Sequence, residues 1–72
     1  MPRHIDKRLY FGKFNYNGQV FEYFKYAVDL GAARKLMYRS MARALGLKST
    51  GIFYVVFDSS FDNYSIEEVI EK

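Results

Sequence analysis

An α+β domain, with one main amphipathic helix packed on one face of a three-stranded sheet, is the architecture that these 72 residues predict. Three features carry that expectation. An Asn-Gly pair separates two aromatic-rich runs, a capped apolar stripe follows at helical spacing, and a short apolar run comes after it.

The first feature predicts a β-hairpin over residues 8–28. Asn17-Gly18 suits a two-residue turn in which both central residues take positive φ, and such a turn sets the register. Tyr16 then opposes Gln19, Phe14 opposes Phe21, Gly12 opposes Tyr23 and Tyr10 opposes Lys25. On the other face Lys13 opposes Glu22, a favourable cross-strand charge pair that supports this register.

The second feature predicts a helix over residues 30–45. Asp29 is a good N-cap, and its charge suits the positive start of a helix. Leu30, Ala33, Met37, Met41, Ala44 and Leu45 form one apolar stripe. Gly46 suits the left-handed position after the helix, with Leu47 placed for the apolar contact that often follows. The third feature, Gly-Ile-Phe-Tyr-Val-Val-Phe over residues 51–57, reads as a buried strand. Ser65 and Glu68 make a capping-box pattern that predicts a short helix over 66–71, with Val69 and Ile70 as its apolar contacts.

The expected order is therefore β-β-α-β-α, with the third strand either parallel to the second or antiparallel to the first. One domain is expected over 1–72, with a flexible N-terminus at 1–7 and an acidic C-terminal segment at 58–72 that carries the short helix.

Composition narrows the function classes. Without cysteine there is no disulfide framework and no Cys-based zinc site. A chain this small usually needs a staple, and seven Phe with seven Tyr point to dense aromatic packing or to oligomerisation. No apolar run approaches the ~20 residues of a membrane span. The first eight residues have no apolar stretch behind their charges, so no signal peptide is expected, and the expected compartment is the cytoplasm.

Catalytic chemistry has little to stand on. His4 has no second histidine or cysteine with which to build a dyad or an imidazole metal site. Asp58 and Asp62 are the one carboxylate pair worth naming, and loop acids of this kind ordinarily stay solvated. Ser40, Ser49, Thr50, Ser59 and Ser60 have no evident base beside them. Gly46-Leu47-Lys48-Ser49-Thr50 echoes a phosphate loop but lacks its spacing and its strand-to-helix setting. A non-enzyme is expected, with no cofactor, metal, membrane or small-molecule substrate.

Charge points toward binding. Residues 1–48 hold ten Lys/Arg against three Asp/Glu, a net +7, whereas residues 49–72 hold one Lys against five acids, a net −4. Lys35, Arg39 and Arg43 recur at i, i+4 and i+8 opposite the apolar stripe, with Arg34 at its border, and no acid interrupts residues 30–57. An ordinary solvated helix mixes signs to gain i,i+4 pairs, so an unmixed row favours an anionic partner.

The hairpin offers a second candidate. Leu9, Phe11, Val20, Phe24, Tyr26 and Val28 share the face assigned to the core. The opposite face carries Tyr10, Phe14, Tyr16, Phe21 and Tyr23 between Arg8 and Lys25, and it is expected to be exposed. Those rings suit stacking on unpaired bases while the two cations hold phosphates. They equally suit packing against a second copy or another protein. The plain alternative is that Phe61, Tyr64, Val69 and Ile70 fold back and cover them.

The expected function is nucleic-acid binding through the basic helix face, the aromatic sheet face, or both. The alternative is a protein-interaction module, as a homodimer or as an inhibitor of a host protein. In size and style the chain resembles the accessory proteins of phages and other mobile elements, some of which inhibit a host protein by binding it. The Lys/Arg-Gly-Phe/Tyr-Gly/Ala-Phe pattern of an RNA-recognition motif is missing.

Overall fold

The computed structural model describes residues 7–59 and 61–70, with the backbone alone at Phe61. His4 and most of the N-terminal segment expected to be flexible lie outside them. The fold is α+β: a three-stranded antiparallel sheet with a main helix of 16 residues packed on it. Among the described residues no helix is long and apolar enough to cross a membrane.

The hairpin forms as the turn dictates. β1 (Arg8–Tyr16) and β2 (Gln19–Ala27) pair in the register read above, including Phe14 against Phe21 and Lys13 against Glu22. Asn17 and Gly18 take φ values of 54° and 81°, as a two-residue hairpin turn requires. The Gly18 N–H donates to Asn15 Oδ1 at 3.1 Å, which closes the turn.

Helix α1 (Leu30–Leu45) also forms between its sequence caps. Asp29 Oδ1 accepts from the Ala32 N–H at 2.8 Å. At the other end Gly46 is left-handed, and the Leu47 N–H donates to the Ala42 carbonyl at 2.8 Å. The buried stripe is rotated from the expected one. Ala33, Met37, Tyr38, Met41 and Ala42 are buried, whereas Leu30 and Ala44 are exposed.

The last two elements differ from the expectation. Residues Gly51–Asp58 form a second helix, α2, and Tyr64–Glu68 form strand β3 after a 3-10 turn at Phe61–Asn63. The order is β-β-α-α-β. A continuous apolar run carries no period, so it fits a buried strand and a buried helix alike. Phe53 and Phe57 decide the matter, because one helical turn puts both rings on one face, and both are fully buried. β3 lies antiparallel on the free edge of β1, giving the order β2-β1-β3, and the Val69 N–H donates to the Leu9 carbonyl at 2.8 Å. Ser65 and Glu68 therefore cap no helix. Pairing β3 satisfies the outward backbone groups of β1, which a free helix would leave to water.

The core lies between the sheet and the two helices. Phe14 is its centre, with ring centroids 5.7 Å from Tyr38, 5.4 Å from Phe57 and 5.9 Å from Tyr64. Contacts of this geometry add to plain area burial, and they supply the aromatic packing that the composition predicted.

Candidate nucleic-acid interface

The aromatic face expected to be exposed is the core face. Tyr10, Phe14 and Phe21 are buried under the helices, and Tyr16 and Tyr23 are half-buried. Tyr16 meets Phe53 edge-on at 5.3 Å. The reason is at Gly12. A Cβ there would collide with the Met37 side chain, so α1 can seat against the sheet only because that position is bare. The reading that the C-terminal segment covers this face holds in part: Tyr64 stacks on Phe14, while most of the cover is helical.

The face assigned to the core is the open one. Phe24 is 62% exposed and Tyr26 60%, Val20 and Val28 are exposed, and Leu9 and Phe11 are half-buried. Phe11 and Phe24 form a non-hydrogen-bonded cross-strand pair with ring centroids 4.8 Å apart. Gly12 is the sequence signal that would have assigned the faces correctly, since a glycine within a strand marks close backbone approach.

The basic side chains divide into two groups. Arg34 faces inward and is committed. Its Nη2 donates to Asp58 Oδ1 at 2.6 Å and its Nε to Tyr38 Oη at 2.7 Å. Its guanidinium also lies 5.1–5.5 Å from the ring centroids of Tyr38, Tyr54 and Tyr64. It joins α1, α2 and β3, so it does not belong with the phosphate-facing cations. Burial by itself would lower its pKa, but the hydrogen bonds to Asp58 and Tyr38 outweigh that and raise it. For Tyr38, burial raises the pKa and Arg34 pulls it back only in part. Asp58 is thus an arginine partner.

Lys35, Arg39 and Arg43 remain exposed along one side of α1. At 1.5 Å rise per residue they stand about 6 Å apart along the axis. Lys48 joins them. The left-handed Gly46 turns the chain, and Arg39, Arg43, Lys48, Ser49 and Thr50 line an open depression of about 320 Å³. In sequence Lys48 stands out only within the phosphate-loop echo, and that stretch leads into α2 in place of the expected strand. Among the described residues, none of these four cations is in an ion pair. Arg8 lies 3.6 Å from Glu68 across β1 and β3, and Lys25 Nζ lies 5.7 Å from the Tyr23 ring centroid. Neither flanks an exposed aromatic face, because the rings between them are covered.

The arrangement offers a row of exposed cations along α1 that ends in this depression and, on the other face of the sheet, an open apolar surface. Comparison with protein-family models, curated proteins and solved structures gives no match.

Proposed function

We propose that this protein is a non-catalytic nucleic-acid-binding domain that grips a phosphate backbone with the outer side of α1. Lys35, Arg39 and Arg43 contact successive phosphates, and Lys48 extends the row at the helix end. The observation that carries this reading is the row itself: cations one helical turn apart, exposed, with no carboxylate on α1 to neutralise them. A merely solvated helix gains from mixing its charges, and this one does not mix them. Stacking by Tyr10, Phe14 or Phe21 has no place in the mechanism, because those rings are buried. Recognition by backbone charge makes the binding weakly dependent on sequence.

The test is fluorescence anisotropy with labelled duplex and single-stranded oligonucleotides at two salt concentrations. Neutralising three phosphates gives a log–log salt slope near −2.7, which is roughly a 40-fold loss of affinity between about 50 and 200 mM salt. Binding that ignores salt, or that survives charge reversal of Lys35, Arg39 and Arg43 together, refutes the reading.

A further inference from the structure

We propose that β2 pairs with β2 of a second copy of this chain, antiparallel about a two-fold axis through Phe24, to make one six-stranded sheet. β2 is an edge strand of nine residues, with no proline and no bulge in its ladder. Beside a two-residue turn, Tyr16 and Gln19 exchange both hydrogen bonds, and the alternation that follows turns the backbone groups of Val20, Glu22, Phe24 and Tyr26 away from β1. The same alternation points Leu9 toward β3, where its carbonyl accepts from Val69. Among the described residues nothing hydrogen-bonds to the four outward groups of β2. An edge of this length with no proline, no bulge and no paired neighbour among the described residues can template another strand where its charges, Glu22 and Lys25, find complementary partners.

The side chains select both the occupant and the register. With Phe24 on the axis, Phe24 faces its own copy and Glu22 faces Tyr26 of the second copy, a hydroxyl donor opposite a carboxylate. On the helix side Lys25 faces Tyr23 of the second copy, repeating in trans the cation–ring contact present within the chain. Sliding one copy by two residues sets Lys25 against Lys25, or puts Glu22 against Phe24. Sliding by four sets Glu22 against Glu22 in one direction and leaves only residues 25–27 of β2 paired in the other. The register centred on Phe24 keeps residues 21–27 paired and sets each charged side chain opposite a complementary partner.

The contact is small. Edge pairing buries the outward backbone groups and the flanks of Phe24 and Tyr26 and leaves their outer faces open. Its area falls among weak interfaces below about 1,200 Å² in total, so a dimer in the micromolar range is expected. Both α1 helices then lie on one side of the joined sheet, beside the seam, because α1 packs chiefly over β2.

The experiment is sedimentation equilibrium of the full chain over a wide micromolar range, with three variants. The wild type is expected to dimerise. Glu22→Pro removes one outward N–H while leaving the β1 ladder, Phe24 and Tyr26 in place, and it should be monomeric. In a chain without cysteine, Phe24→Cys should cross-link on mild oxidation. The Cα atoms of a hydrogen-bonded pair lie about 5.5 Å apart, within disulfide range. Ser65→Cys, exposed on the far edge strand, should not cross-link. A wild type that stays monomeric throughout overturns the proposal. So does a folded Glu22→Pro protein that still dimerises, since that means packing through the sheet face. Should the proline variant fail to fold, cross-linking at Ser65 in preference to Phe24 overturns it equally. Charge reversal of Lys35, Arg39 and Arg43 should leave the dimer intact, so this proposal and the nucleic-acid reading fail independently.

Discussion

Both faces of the hairpin carry aromatic rings, and those rings meet opposite fates. One presents Tyr10, Phe14 and Phe21 to the helices, and the other presents Phe11, Phe24 and Tyr26 to solvent. Phe14 packs its ring against Tyr38, Phe57 and Tyr64, whereas Phe24 has, among the described residues, a single aromatic neighbour, Phe11. The core face carries five rings against three, so aromatic content leans toward it without deciding the matter. Room for a helix decides it, and Gly12 supplies that room by leaving a gap that Met37 fills. The face that lost that competition keeps its rings, and they become surface available for association.

Truncation separates the faces most sharply. Phe14→Ala should cost about 3–5 kcal/mol in urea denaturation, since it empties the centre of the core. Phe24→Ala, measured in dilute monomer, should cost no more than about 1 kcal/mol, the worth of its cross-strand pair with Phe11. Equal losses at the two positions would break the comparison. Gly12→Val should cost about 1–3 kcal/mol by overpacking against Met37. A neutral result there would mean that α1 does not seat on that glycine.

Smaller effects sharpen the picture at the rim of the core. Asp58→Asn should cost less than about 1 kcal/mol, because the Asp58 side chain is 61% exposed and its pairing with Arg34 is screened. Arg34→Met should cost more, as it also strips the cation from three tyrosine rings. The same variant should raise the Tyr38 pKa further, because Arg34 is what lowers it against burial. Phenolate absorbance titration reads that shift. Tyr38 and Tyr23 both hold their protons more tightly folded than unfolded. Their contribution to stability is complete below about pH 10 and is lost as pH rises through the raised values. The smallest effect on the fold belongs to Lys35→Glu, Arg39→Glu and Arg43→Glu together. Thermal unfolding should barely move while oligonucleotide binding disappears, and a large drop in Tm would assign the row a structural role.

Legibility followed the range of the physics. Asn17-Gly18 and the Asp29 and Gly46 caps act over a few residues, so the hairpin register and the span of α1 could be read directly. The basic row on α1 was legible for the same reason, because helical spacing alone places Lys35, Arg39 and Arg43 together. Residues 51–57 were not legible as a helix, since an unbroken apolar run has no period. The Ser65–Glu68 pattern misled because a capping box needs a helix to cap, and β1 offered those residues a free edge to pair with.

What the chain determined by itself was therefore local: its turn, its caps, its main helix and the sign of that helix's outer side. The tertiary structure decided which face of the sheet is inside, that Arg34 is spent within the fold, and that Lys48 comes beside Arg39 and Arg43. Those outcomes depend on elements distant in sequence meeting across the core. The energy that selects among them is packing, and packing has no period along the chain.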